Sequence, residues 1–104
     1  MDETEFEAVA AAALEAIERA LEGIDVDFEL KDGGVLEMEF DDGSKIIVNR
    51  HGAAREIWVA ARAGGFHFRR DGAAWRDTRS GKELFAALSE LVSGQLGRRV
   101  LLLG

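Results

Sequence analysis

The stretch Val35-Leu36-Glu37-Met38-Glu39-Phe40-Asp41-Asp42-Gly43-Ser44-Lys45-Ile46-Ile47-Val48-Asn49 decides the fold. Leu36, Met38 and Phe40 alternate with Val35, Glu37 and Glu39, the period of two that marks a half-buried strand. Asp42-Gly43 is a hairpin signal, and residues 45–49 read as the returning strand. Strands joined by so short a turn are antiparallel, because a parallel pair needs a long crossover.

The same alternation extends towards the N-terminus. Val26, Phe28 and Leu30 point one way and Asp25, Asp27 and Glu29 the other, and Lys31-Asp32-Gly33-Gly34 turns the chain into the hairpin. Residues 4–23 read as a helix, with Phe6, Val9, Ala10, Ala13, Leu14, Ile17 and Leu21 at spacings of three and four. Thr4 is the expected cap, with Glu7 completing a capping box, and Gly23 is the expected stop.

Towards the C-terminus, a polar loop is expected around Arg50-His51-Gly52, then strands at Glu56–Ala61 and residues 65–70. Asp71-Gly72 makes another turn, followed by a short strand around Trp75. Ser80-Gly81-Lys82-Glu83 reads as a capping box. It opens a second helix with Leu84, Leu88, Leu91, Val92 and Gln95 on one face and Gly97 as its stop. Residues 98–103 end the chain as a strand or an extended tail. The order is helix, five or six antiparallel strands in a meander, helix. One sheet face is left for both helices to cover, so the expected fold is an α+β two-layer sandwich. No second domain, repeat or low-complexity segment interrupts the 104 residues.

With 47% hydrophobic and 32% charged residues, the chain has the balance of a soluble globular protein. The absence of cysteine excludes disulfides, thiolate metal sites and a cysteine nucleophile. A net charge of −7 argues against a nucleic-acid partner. The acidic N-terminus does not read as a signal or transit peptide. No apolar run approaches the ~20 residues of a membrane span. A cytoplasmic location, with no membrane partner, is the expectation.

Charge is segregated along the chain. Residues 1–42 hold 15 acids and two bases, and residues 43–104 hold five acids and 11 bases. At about 100° per residue, Glu3, Glu7, Glu15, Glu18 and Glu22 fall within an arc of roughly 120°, and the next strand adds Asp25, Asp27 and Glu29. Such a stripe is either a solvated face or a surface kept acidic for something outside the fold. Two details favour the second reading. Glu18 and Glu22 sit at the helix end where cations are preferred. Glu3/Glu7 and Glu18/Glu22 are like-charge i,i+4 pairs, each costing about 0.2–0.5 kcal/mol. Carboxylates alone suit hard cations such as Ca²⁺, Mg²⁺, Mn²⁺ and iron, with weak affinity. Asp25-x-Asp27-x-Glu29 resembles the opening of an EF-hand loop, but Leu30 stands where that loop needs glycine.

Trp58 lies between the core positions Ile57 and Val59. It is either an exposed interface anchor or, with the register slipped by one or both faces covered, a packing residue. Trp75 reads as core, His51 as a surface histidine, and His67 as outward-facing beside Trp58. Arg69, Arg70, Arg76 and Arg79 read as a solvated hairpin. P-loop, GxGxxG, HExxH and GxSxG motifs are missing, and Ser80 has no histidine partner.

Taken in order and spacing, several segments together resemble the frataxin family, in particular its bacterial branch. They are Glu5-Phe6, Gly33-Gly34-Val35-Leu36, the run from Gly43 to Arg50, Ile57-Trp58-Val59-Ala60, Gly64-Gly65-Phe66-His67-Phe68, Trp75 and Arg79-Ser80-Gly81. The resemblance covers essentially the whole chain and implies a single domain over residues 1–104. It also implies a non-enzymatic role in iron–sulfur cluster assembly, with weak Fe²⁺/Fe³⁺ binding and other divalent cations as alternatives. The implied partners are a cysteine desulfurase of the IscS type and the cluster scaffold complex. The chain would regulate the desulfurase and donate iron, as a monomer that oligomerises with iron. By position, the family's metal-binding ridge maps onto Glu3, Glu7, Glu18, Glu22, Asp25, Asp27 and Glu29. Partner contacts map onto Glu18, Glu22, Asn49 and Trp58. Two departures stand out. Glu7 occupies a position where a bacterial relative carries histidine, and the acidic run between helix and strand is shorter. The rival readings are a ferroxidase or iron-storage activity, although the inward Glu-x-x-His motifs of a di-iron centre are missing, and a desulfurase regulator whose iron binding is incidental.

Overall fold

In the computed structural model, which describes all of residues 1–104, the hairpin is built as its alternation dictates. Strand β2 (Val35–Glu39) pairs with β3 (Lys45–His51), matching Leu36 with Val48 and Met38 with Ile46. The sheet grows outward from it in chain order. β1 (Asp27–Lys31) pairs with β2. β4 (Glu56–Ala61), β5 (Gly64–Asp71) and β6 (Ala74–Asp77) follow β3, every pair antiparallel. Helices α1 (Glu3–Glu22) and α2 (Leu84–Leu96) both cover the same face. Phe6, Ile17 and Leu21 of α1 and Leu84, Leu88 and Val92 of α2 are buried. They meet the buried strand residues Leu36, Met38, Ile46, Val48, Ile57, Val59 and Phe68. Trp75 of β6 is core, 4% exposed, and meets Phe6 edge-on with ring centroids 6.2 Å apart. The sheet has six strands, and the fold is the α+β sandwich expected from the pattern.

The local departures have local causes. Arg50 and His51 do not form a loop; they extend β3 and pair with Ile57 and Glu56. Leu30 is 45% exposed, because β1 is an edge strand and its end borders a shallow cleft beside Leu14 of α1. Asp2, not Thr4, caps α1, accepting from the Glu5 N–H at 2.8 Å. Glu83, not Ser80, caps α2, accepting from the Phe85 and Ala86 N–H groups at 2.8 and 3.1 Å. Ser80 is drawn instead into a turn around Asp77, whose carboxylate accepts from the Arg79 and Ser80 N–H groups. Gly97 ends α2 in the left-handed region (φ 83°), where glycine alone is unstrained. The tail beyond it is extended but not a strand. Ser89 and Ser93 on α2 pin it through the N–H groups of Leu102 and Val100, which buries Leu102.

Candidate functional site: an acidic edge and a histidine-flanked tryptophan

Because sheet order equals chain order, the charge segregation of the sequence becomes a segregation in space. α1 crosses the sheet obliquely. Its first turn meets Trp75 of β6, Glu7 reaches Arg50 of β3, and Leu14 lies by Leu30 of β1. The second half of α1 therefore delivers Glu15, Glu18 and Glu22 towards the β1 edge. Asp25 follows, and Asp27 and Glu29 stand on the outer face of β1, opposite Glu39 and Glu37.

The seven expected ligands are not one cluster. Glu3 lies roughly 28 Å along the helix axis from Glu22, at 1.5 Å per residue. Glu7 is engaged by the Arg50 guanidinium, which lies over Gly34, where a Cβ would collide with the arginine side chain. Glu18, Glu22, Asp25, Asp27 and Glu29 share the β1 edge, and none of them enters an ion pair. No three carboxylate or imidazole groups converge into a ready ligand set. The donor chemistry fits a hard cation; the geometry fits shallow, loose coordination.

Sequence reasoning passed over Glu39, which joins this edge through the hairpin register. Glu39 faces Asp27 directly, an unfavourable like-charge cross-strand pair. The neighbouring Glu37 is different. Lys31 and Lys45 both hold it at 2.9 Å, and their hydrogen bonds bring its pKa down to about 2.

The second feature lies at the centre of the outer sheet face, where the register aligns Asn49, Trp58 and His67. Trp58 is half-buried and faces outward, so the register is the one the alternation implied. Its ring is sandwiched between His51 and His67, with centroids 3.8 and 4.3 Å away and planes within 12° and 7°. Beside it stands Glu56, 6% exposed. Glu56 accepts from the Trp58 indole N–H at 2.9 Å and from Arg69 at 2.6 Å. Burial pushes the Glu56 carboxyl up, but these bonds outweigh it and hold the pKa below the usual value. Glu56 went unrecognised because nothing at strand spacing marks a carboxylate as buried. Its only signals are the pairings His51↔Glu56 and Glu56↔Arg69. Asn49 donates to the Arg50 carbonyl at 3.3 Å. The arginines form the solvated hairpin expected, with Arg76 by Asp71 and Arg70 on the Gly72 carbonyl.

A meander sheet backed by two helices, with an acidic edge strand and a polar–aromatic outer face, defines a small α+β protein built around surfaces rather than a closed pocket. Comparison with known proteins gives the class its family. A Frataxin-like domain model matches residues 1–98. The chain is 62% identical over 104 residues to the iron-sulfur cluster assembly protein CyaY of Dechloromonas aromatica, covering 98% of this chain and 99% of that one. It is 54% identical to the protein of the same name from Cupriavidus metallidurans, covering 93% and 92%. Among solved structures, frataxin from Psychromonas ingrahamii superposes with a TM-score of 0.91 at 31% identity, over the full length of both chains. The chain belongs to the frataxin family.

Proposed function

We propose that the protein acts in iron–sulfur cluster assembly by binding iron weakly along its acidic edge. The same edge docks by charge on a basic surface of a cysteine desulfurase, which it regulates, with iron donation as a second use of that surface. The observation that carries this reading is the row of unpaired carboxylates at Glu18, Glu22, Asp25, Asp27 and Glu29. Other acids of the fold are held by cations, as at Glu37, Asp42, Glu56 and Glu90. A row left unpaired along one edge is what a cationic partner requires. The names of the relatives support the pathway. Glu3 and Glu7 stand apart, and Glu7 joins iron only by releasing Arg50. Asn49 and Trp58 form a second contact, on the outer face, for the cluster scaffold complex.

A titration of desulfurase activity with and without Fe²⁺ tests the reading. It compares the wild type with a variant carrying Glu18→Gln, Glu22→Gln, Asp25→Asn, Asp27→Asn and Glu29→Gln. The variant is expected to lose both the effect on the desulfurase and its dependence on iron. An unchanged response removes the docking role. The ferroxidase alternative finds no support in the donor geometry, since no carboxylates converge inside the fold. Oxygen consumption with Fe²⁺, set against a protein-free control, separates the two.

A further inference from the structure

Aspartate followed by glycine occurs at Asp32-Gly33, Asp42-Gly43 and Asp71-Gly72, in the turns after β1, β2 and β5. All three glycines have positive φ (Gly33 87°, Gly43 85°, Gly72 63°), which glycine adopts without steric cost. Glycine also leaves its own peptide nitrogen unshielded, so that nitrogen can attack the carboxyl group of the aspartate before it. Sequence alone makes the three pairs equivalent.

The fold treats them differently. The Asp42 carboxylate accepts from the Ser44 hydroxyl at 2.6 Å, the Ser44 N–H at 2.9 Å and Arg62 at 2.8 Å. These bonds, the Ser44 hydroxyl first among them, bring its pKa down to about 2. An ionised carboxylate is a poor electrophile, and the nucleophile is tied as well, since the Gly43 N–H donates to the Phe40 carbonyl at 2.9 Å. Asp71 is the last residue of β5 and pairs with Ala74, with its carboxylate 3.5 Å from Arg76. In extended backbone, with ψ of about 135°, the next nitrogen is rotated away from the side chain. Asp32 has none of these restraints. It is exposed and lies beyond the last ladder pair, Lys31↔Val35. Its carboxylate enters no ion pair. The Gly33 N–H meets no backbone carbonyl, and the space around Gly33 is open.

We propose that Asp32 is a site of spontaneous backbone modification, converting to isoaspartate in the folded protein while Asp42 and Asp71 stay intact. The Gly33 nitrogen bonds to the Asp32 Cγ, and the carboxyl OH leaves as water with the nitrogen's proton. A five-membered imide results. Water then breaks one of its two C–N bonds. Cleavage at the former main-chain carbonyl sends the backbone through the aspartate β-carbon and leaves a carboxylate on the α-carbon. No oxidant, reductant or further reactant enters, and the charge is kept. The loop between β1 and β2 gains one backbone carbon. Gly34, at the end of that loop, accepts the Arg50 N–H at 3.1 Å and lies against the Arg50 side chain, so the change reaches β3. The site borders the acidic edge but does not depend on the role assigned there.

The test keeps the full chain folded for weeks at neutral pH in water labelled with heavy oxygen, which ring opening incorporates. Trypsin then releases residues 32–45 and 71–76, and electron-transfer fragmentation assigns isoaspartate to one position. Conversion at Asp32 is expected to run at least tenfold faster than at Asp42 or Asp71, a difference of about 1.4 kcal/mol in barrier. New amide signals are expected at Gly33, Gly34 and Arg50. In urea, where neither ladder nor ion pair survives, the three sites are expected to convert at similar rates. Asp32→Glu, which would need a six-membered ring, is expected to abolish conversion there. Ser44→Ala with Arg62→Gln releases the Asp42 carboxylate and is expected to raise conversion at Asp42 alone; if that variant does not fold, the comparison with urea still decides. Equal conversion of the three aspartates in the folded chain would overturn the proposal. So would an Asp32 that stays intact over the time in which the unfolded chain converts.

Discussion

Glu56 is the one charged side chain that the fold takes out of water, and it orders the outer face. Its two oxygens hold the Trp58 indole N–H and Arg69, and His67 stands 3.6 Å away. Truncating it leaves the half-buried indole N–H without its acceptor. Glu56→Ala is therefore expected to lower stability by about 1–2 kcal/mol, read by urea denaturation, and to shift Trp58 emission. A variant as stable as the wild type, with unaltered emission, would show that the indole is held by the histidines alone. Glu37 makes a different case, since it is half-buried on the outer face and clasped by two lysines. Its pKa falls from 4.5 to about 2 on folding. The contribution is complete above pH 4.5 and is lost as the pH falls through about 2. Stability measured between pH 4.5 and 2 is expected to fall less steeply in Glu37→Gln than in the wild type; parallel curves would refute the lysine clasp. At this scale the sequence was legible where side-chain period decides burial, as for Ile57, Trp58 and Val59. It was silent where burial depends on a partner two strands away, as for Glu56.

Helix α1 carries a conflict that the fold settles at only one end. Near the N-terminus the like-charge pair Glu3/Glu7 is relieved because Arg50 takes Glu7. Near the C-terminus Glu18/Glu22 has no such relief, and both charges face the unfavourable end of the helix dipole. Neutralising them with Glu18→Gln and Glu22→Gln is expected to stabilise the protein by about 0.5–1 kcal/mol. That raises the melting temperature by about 2–6 °C for a domain of this size. If iron binds the acidic edge as proposed, it raises the melting temperature of the wild type, and the same variant is expected to lose part of that gain, since a ligand of the folded state stabilises in proportion to its binding. Glu7→Gln is expected to act in the opposite sense. Melting drops slightly, by what a half-exposed ion pair contributes, up to about 1 kcal/mol, and the iron response stays. A fall in melting for the double variant would mean that Glu18 and Glu22 support the helix. The element order, the strand alternation and both helix stops were readable from local spacing. The caps were not. Asp2 and Thr4 both offer a capping oxygen, and Asp77 competes for the turn that contains Ser80. Only the closed backbone decides between them.

For the whole molecule, the meander is what turns a one-dimensional charge pattern into a surface. Six strands at about 4.8 Å place the β1 edge roughly 24 Å from β6, well beyond the screening length of ~8 Å at physiological ionic strength. Acids at one edge and arginines at the other therefore do not cancel, and a partner meets the two poles separately. This much follows from the sequence once the strand order is known. Which of the acids are held in ion pairs does not, because it depends on which cations the register brings near. A charge-steered encounter is fastest at low salt and slows as ions screen it. Desulfurase affinity is accordingly expected to fall with rising salt. Glu18→Lys with Glu22→Lys is expected to weaken it at least tenfold, while Arg98→Glu with Arg99→Glu, at the exposed start of the tail, leaves it within about twofold, against the tenfold that 1.4 kcal/mol represents. The tail pair is the better control, because reversing Arg69 would also disturb Glu56 and Trp58. A loss from the acid reversal matched by an equal gain from the arginine reversal would mean that net charge, and not the acidic edge, draws the partner in. No loss from either would leave that edge a solvated flank of the fold.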